Sequence, residues 1–279
     1  MSNKSSTNVF TRAYNLVRST GLLGLPLSER AFLFSYFLYK RWYEDPFWAL
    51  TKRSPEIFSG GDILDVGANI GYTAWVFARA IRSLGHSNRP AKVYAFEPDL
   101  ASFSTLGEIV RRKKLGDTAE IFNMAVGSAE GSLDFWHNEE HSADHRVATE
   151  QFKGTRSAAD KIAKVAVTSV DNFVVTRNLQ NISFIKIDVQ GYELAVCQGM
   201  RGTLQRFPAL CVALEYAPEA MRELGFEPAA LLEFFRSAGY QLYILTRAAT
   251  TPAPDDHAIE AAVKRSGYVD LLCSRKTLI

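Results

Sequence analysis

Asp62-Ile63-Leu64-Asp65-Val66-Gly67-Ala68-Asn69-Ile70-Gly71-Tyr72-Thr73 is the stretch that decides the fold. Ile63 to Val66 is a short run of the type buried on both faces of a parallel sheet. Gly67 to Gly71 is a tight turn of small residues, and Tyr72 to Leu84 follows with helical spacing. A strand that ends in such a turn and opens a helix presents backbone N–H groups at the helix N-terminus. Those groups can receive the polar part of a nucleotide-like ligand. Side chains in place of the glycines would block the turn or the ligand.

Outward from this stretch, strand and helix patterns alternate. Lys92–Phe96 is the second strand and Leu100–Leu115 its helix; Glu120–Met124 is the third strand. Leu133–Trp136 and Val165–Thr168 are extra strands flanking a polar, irregular stretch over 137–163, and Thr168-Ser169-Val170-Asp171 has the form of a helix cap. Ser183–Val189 is the fourth core strand and Gly191–Gly199 its helix. Leu210–Tyr216, Tyr240–Leu245 and Val269–Ser274 are the later strands, with a helix over Pro228–Ala238. This alternation predicts an α/β, doubly wound, mostly parallel sheet. In such sheets ligands bind beyond the carboxyl ends of the strands, so the residues closing each strand carry the information.

The first strand closes on Asp65, Gly67, Asn69 and Gly71. A dinucleotide fingerprint needs G-x-G-x-x-G, but here Asn69 and Tyr72 occupy the second and third glycine positions. Asn69 would crowd a pyrophosphate, which disfavours NAD. S-adenosylmethionine has no pyrophosphate and tolerates a side chain there. Glu97 closes the second strand, where an acid accepts hydrogen bonds from ribose hydroxyls. Asn123 and Ala125 follow the third strand, at the level of an adenine ring. In the fourth, Lys186 and Asp188 are two apart and point to one face. Shielded charges must pair or meet a ligand. Glu215 closes the fifth strand.

The ordered set Asp-Val-Gly-Ala-Asn-Ile-Gly-Tyr-Thr, Phe-Glu-Pro, Asn-Met-Ala-Val-Gly and Phe-Ile-Lys-Ile-Asp-Val-Gln-Gly-Tyr-Glu resembles the FkbM family of S-adenosylmethionine-dependent methyltransferases, over roughly residues 60–246. The resemblance implies a Rossmann-like seven-stranded sheet with a final antiparallel strand. It also implies O-methylation of hydroxyls on sugars, glycolipids or natural-product scaffolds. It carries cofactor roles to Asp65, Gly67, Asn69, Gly71, Thr73, Glu97, Asn123 and Ala125, with Lys186, Asp188, Gly191 and Glu193 as the strand-four signature. Gln190 stands where the family commonly has Glu.

Methyl transfer from a sulfonium requires in-line alignment and removal of a hydroxyl proton. Asp188 is nominated for acceptor positioning or base work and for bordering the cofactor, with Lys186 and Glu215 in support. A metal-assisted version would bring Asp188 and Glu215 to a divalent ion. Gln190 lowers the ligand charge, so S-adenosylmethionine alone is favoured and no metal ligands are assigned. His137, His141 and His145 lie four apart. A solvated loop, a base from a mobile loop (His141) and zinc binding are the three readings of that spacing; no H-E-x-x-H pattern or cysteine partner supports the last. A nicotinamide-dependent oxidoreductase and a non-catalytic protein on a methyltransferase scaffold remain alternatives.

The 32 basic and 30 acidic residues leave a net charge of +2, which gives no pull toward nucleic acid. Cys197, Cys211 and Cys273 are isolated, as expected of core thiols in a reducing, cytoplasmic setting. The polar N-terminus has no signal-peptide pattern, and no apolar run reaches the roughly 20 residues of a membrane span. Helices are expected over 9–18 and 28–44. The second is apolar nearly all round, which fits packing on the main domain, a lid over a partly apolar acceptor, or a peripheral membrane contact. Pro46 and Pro55 mark a linker. The expected organisation is an N-terminal helical extension over 1–55 and a methyltransferase domain over 56–279, acting on a small-molecule or glycan acceptor. The oligomeric state is not legible.

Overall fold

The computed structural model describes residues 35–41, 45–85, 90–137, 145–155 and 162–278. The helix expected over 9–18, most of the one over 28–44, and His141 lie outside the described residues. Residues 35–41 are helical, and α1 (Phe47–Arg53) follows. The alternating part then runs β1 (Asp62–Val66), α2 (Tyr72–Ser83), β2 (Val93–Phe96), α3 (Leu100–Arg112) and β3 (Ala119–Phe122). An inserted segment holds β4 (Ala125–Val126), β5 (Gly131–Trp136), β6 (Arg146–Val147), α4 (Glu150–Thr155) and β7 (Ile162–Thr168). After α5 (Val170–Thr176) come β8 (Ile182–Ile187), α6 (Glu193–Gln198), α7 (Arg201–Arg206), β9 (Cys211–Tyr216), α8 (Pro218–Glu223) and α9 (Pro228–Ser237). The chain closes with β10 (Gln241–Leu245), β11 (Thr250–Pro252), α10 (Asp256–Ser266) and β12 (Val269–Ser274).

The main sheet has eight strands in the order β11-β10-β12-β9-β8-β1-β2-β3. Strands β3, β2, β1, β8 and β9 are mutually parallel. β12 inserts antiparallel between β9 and β10. This is the seven-stranded methyltransferase order with its antiparallel final strand. The addition is β11, which pairs antiparallel on the edge of β10. A second sheet, β4-β7-β5-β6, is built from the insertion. The stretch expected to be irregular therefore holds β6 and α4 as well.

The apolar strands alternate between two cores, one on each face of the main sheet. Leu64, Ile185 and Leu214 enter one; Ile63, Phe184 and Ala213 enter the other. The period of two along each strand makes this split. Segments before residue 55 share the second core: Phe37, Phe47 and Leu50 are buried with Phe77 and Phe184. The Phe47 and Phe77 rings are 5.6 Å apart, edge to face. The expected linker is thus partly helix α1. Pro46 precedes its first residue, where a missing N–H costs nothing. Asp45 Oδ1 accepts from the Phe47 N–H at 2.8 Å and caps the helix from its N-terminal side. The three cysteines are buried and free, as expected. Among the described residues no helix is long and apolar enough to cross a membrane.

Candidate active site

The loop between β1 and α2 is forced into shape by its glycines. Gly67 has φ +77°, and a Cβ there would lie 1.8 Å from the Asp188 carbonyl oxygen. Asn69 also takes a left-handed conformation, φ 49°, which Asn tolerates better than most residues. Beneath the loop Asp65 is fully buried; its Oδ2 accepts from Thr73 Oγ1 at 2.7 Å. Lys186, 3 % exposed, lies 3.5 Å from Asp65 Oδ1 and 3.4 Å from Asp188 Oδ2. It also donates to the Gly67 carbonyl at 2.7 Å. The pairing expected of Lys186 and Asp188 is therefore present, and Lys186 locks the loop as well. Burial alone would lower its pKa, but Asp188, Asp65 and Asp45 outweigh burial and hold the ammonium above its ordinary value.

Glu97 joins two loops. Its Oε2 accepts from the Asn69 N–H at 2.8 Å and its Oε1 from the Asp99 N–H at 2.9 Å. Burial pushes its carboxyl up to about 7, against the opposing pull of those two N–H groups. Asn123 does not line the cavity; its Nδ2 donates to the Glu97 and Pro98 carbonyls, both at 3.0 Å. Its contribution is to hold the acid's loop.

After β8 the chain turns through Gln190 (φ 55°) and Gly191 (φ 99°). Glu193, fully buried, fixes this turn: its Oε1 accepts from the Val189 and Gly191 N–H groups at 3.1 and 3.2 Å. Burial raises its carboxyl to about 7. Gln190 Nε2 donates to Asp188 Oδ1 at 3.0 Å, so the residue that departs from the family pattern orients the nominated base.

These elements enclose a cavity of about 280 Å³, lined by Gly67, Asn69, Glu97, Ala125, Asp188 and Glu215 among others. A smaller cavity of about 100 Å³ opens from it at Asn69, Asp188 and Glu215, and is lined further by Asp45, Thr73, Lys186 and Asp270. Tyr36 and Lys40 of the helix over 35–41 line both. Glu215 is held well above its ordinary pKa by burial and by repulsion from Asp188, Asp270 and Glu193. Burial with the Asp188 charge pushes Asp270 up to about 7. Gly71 caps α2 in a left-handed conformation and packs against Leu106 rather than lining either cavity.

Of the nominated residues, Gly67, Asn69, Thr73, Glu97, Ala125, Lys186, Asp188 and Glu215 line the two cavities, Asp65, Gly71 and Asn123 support the loops around them, and His141 lies outside the described residues. Asp45 and Asp270 were missed. Asp270 opens an antiparallel strand, so it lies at the carboxyl edge of its parallel neighbours, and topology was its signal. Asp45 carried no signal, because it preceded an apparent linker.

The larger cavity suits an adenosyl ligand. Gly67 and Asn69 line it with loop backbone, Glu97 keeps acceptor positions beyond its two backbone partners, and Ala125 leaves room beside them. Sheet order and loop together define a Rossmann-like, S-adenosylmethionine-dependent methyltransferase fold. The chain belongs to the FkbM methyltransferase family: the Methyltransferase FkbM domain matches residues 65–242. This favours the methyltransferase over the nicotinamide oxidoreductase. Over 146 residues the chain is 28% identical to the hexuronic acid methyltransferase AglP of Haloferax volcanii, covering 52% of each chain. It spans about half the length of that curated relative. The crystal structure of the methyltransferase FkbM from Methylobacillus flagellatus KT superposes at a TM-score of 0.47 and 15% identity, covering 77% of this chain and 43% of that one. Magnesium protoporphyrin IX methyltransferase from Synechocystis PCC 6803, solved with bound S-adenosylmethionine, gives 0.40 at 9% identity, covering 82% and 75%.

Proposed function

We propose that this protein is an S-adenosylmethionine-dependent O-methyltransferase acting on a hydroxyl of a sugar-bearing acceptor. The observation that carries this is the meeting of two cavities at Asp188 and Glu215: one of adenosyl size bordered by Glu97, the other small, polar and rich in carboxylates. The likeness to a hexuronic acid methyltransferase supports a sugar acceptor.

When bound, S-adenosylmethionine supplies a sulfonium methyl group open to in-line displacement by an oxygen. Glu97 would accept the ribose hydroxyls, and the Gly67 backbone would border the ligand. Asp188, oriented by Lys186 and Gln190, would accept the acceptor's hydroxyl hydrogen bond and take its proton. Burial and the neighbouring carboxylates drive Glu215 toward its protonated form, in which it would donate a hydrogen bond to the acceptor rather than compete for that proton. Tyr36 and Lys40 would close the mouth, which is the lid reading of the N-terminal helix.

The test is transfer of labelled methyl from S-adenosylmethionine to a panel of uronic acid glycans, neutral glycans and lipid-linked sugars. Transfer that is lost in Asp188→Asn supports the assignment. Adenosyl binding with no transfer to any hydroxyl-bearing acceptor, or transfer only to nitrogen acceptors, overturns it.

A further inference from the structure

We propose that Asp99, His137 and His145 form a binding site for one divalent transition-metal ion, with zinc the first choice, clamping the inserted sheet onto the cofactor loop. Nothing in the methyl-transfer chemistry requires these three side chains, yet the fold converges them from two separate directions.

The convergence follows from strand register. β5 and β6 pair antiparallel with Phe135 opposite Val147 and Trp136 opposite Arg146. Continuing that register by one step sets His137 opposite His145. Cross-strand neighbours present their side chains on one face, within reach of each other. The two imidazole centroids are 5.6 Å apart, and both rings pack near Phe135 at 5.6 and 6.3 Å. A spacing of four is also that of one helical face, but in the structure His137 follows β5 and His145 precedes β6, side by side at the end of the strand pair.

Asp99 meets them from the main domain. It is 4 % exposed and is already fixed: its Oδ1 accepts from the Ser102 N–H at 2.7 Å, capping α3. His137 Nδ1 is 2.9 Å from Asp99 Oδ2, and His145 Nε2 is 3.7 Å from Oδ1. One ligand atom from each residue falls within 4.8 Å of the others, the one such group of three among the described residues. Bonds of about 2.0–2.1 Å in tetrahedral geometry set ligand atoms about 3.3 Å apart, and the two histidine–carboxylate separations, one to each Asp99 oxygen, lie within about half an ångström of that value. Two imidazoles and a carboxylate suit zinc and its transition-metal neighbours better than magnesium, which prefers oxygen and octahedral geometry. The fourth position would fall to water.

The place matters because the site sits in the wall of the cofactor cavity. The Asp99 N–H donates to Glu97, while Phe135, His145 and Val147 line the cavity wall. An ion here would hold that wall against the loop bearing Glu97.

The experiment uses the full chain, stripped with chelator, and titrates it calorimetrically with zinc and separately with magnesium. Metal content is measured after dialysis and melting temperature with and without zinc. We expect one equivalent of zinc to bind and raise the melting temperature, with no saturable magnesium binding. His137→Ala and His145→Ala should each weaken zinc binding about tenfold or more, given that even an outer partner of a metal ligand is worth about 10–100-fold. His257→Ala, at an exposed histidine, should leave it unchanged. His137 is the more exposed of the pair, so its variant stays informative if His145→Ala fails to fold. Absence of stoichiometric zinc binding overturns the site, as does binding undiminished in both histidine variants. These readouts do not depend on methyl transfer.

Discussion

Glu97 Oε2 accepts the Asn69 backbone N–H at 2.8 Å, which makes the acid at the end of β2 and the loop after β1 a single unit. The other oxygen holds the Asp99 N–H at 2.9 Å. A carboxylate offers about four acceptor positions, so about two remain for ribose hydroxyls. Each hydrogen bond to a charged group contributes about 1.5–3 kcal/mol. Glu97→Ala should therefore weaken S-adenosylhomocysteine binding about 100-fold or more in calorimetric titration. Glu97→Gln, which keeps one acceptor oxygen, should cost about tenfold. Full affinity in both variants would remove Glu97 from the site.

The same residue predicts a pH dependence whose sign can be worked out. Burial raises the Glu97 carboxyl to about 7, whereas an unfolded Glu titrates near about 4.3. The folded state thus binds this proton more tightly. Its contribution to the free protein's stability is fully present below the unfolded value and is lost as pH rises through 7. Glu193 and Asp270, each pushed to about 7 by burial, act in the same direction. A ligand that donates hydroxyls to the Glu97 carboxylate has the opposite preference. Affinity for S-adenosylhomocysteine should rise with pH up to about 7 and then level off, with a limiting slope of about tenfold per pH unit below it. Titrations at several pH values check this, and the step should vanish in Glu97→Gln. A step of equal size in that variant would assign the proton to another group.

Two glycines with similar φ separate backbone strain from lack of space. Gly67 (φ +77°) has the Asp188 carbonyl 1.8 Å from where a Cβ would be, while Gly60 (φ +82°) has nothing within 4 Å. Gly60→Ala should cost only the left-handed strain, about 1 kcal/mol. Gly67→Ala must also displace the turn after β8, and should cost at least about 3 kcal/mol and abolish adenosyl binding. Urea unfolding of both variants measures the difference. Equal losses would mean that the loop's shape, not its closeness to Asp188, makes Gly67 necessary.

The sheet was legible because its strands are short apolar runs closed by polar residues at regular intervals. Strand order and the antiparallel last strand came from the resemblance, since periodicity alone says nothing of neighbours. What escaped was of two kinds. Helix α1 was hidden by Pro46, which reads as a break although it can equally open a helix capped by Asp45. The ends of the sequence motifs were legible as a group but not by role. Asn123 supports the Glu97 loop, Gly71 packs on Leu106, and Glu193 holds a turn rather than a ligand. Such divisions of labour depend on which way each side chain turns at a strand end, and the linear pattern does not carry that.

Glu193 makes the distinction between supporting and reacting groups measurable. Its Oε1 accepts two N–H groups from the turn that carries Gln190 and Gly191, and it is fully buried. Glu193→Ala would strand both donors and leave a void. It should cost about 2–4 kcal/mol in urea unfolding, with activity falling only through the unstable turn. If activity vanished while stability stayed intact, Glu193 would be a reacting group.

The nominated base can be told from its neighbour by two isosteric changes. Asp188 is 40% exposed at its side chain, pairs with Lys186, and is oriented by Gln190. Glu215 is driven toward its protonated form by burial and by Asp188, Asp270 and Glu193. A protonated carboxyl and a primary amide both donate a hydrogen bond, so Glu215→Gln preserves what the protonated form of Glu215 does. Its kcat should stay within about tenfold of the parent. Asp188→Asn removes a proton acceptor and replaces it with a donor. Its kcat should fall about 10²–10⁴-fold, while S-adenosylhomocysteine affinity changes by less than about tenfold. Single-turnover methyl transfer, with ligand binding measured in parallel, gives both numbers. A larger loss in Glu215→Gln than in Asp188→Asn would exchange the two roles, making the protonated neighbour the group through which the hydroxyl proton leaves.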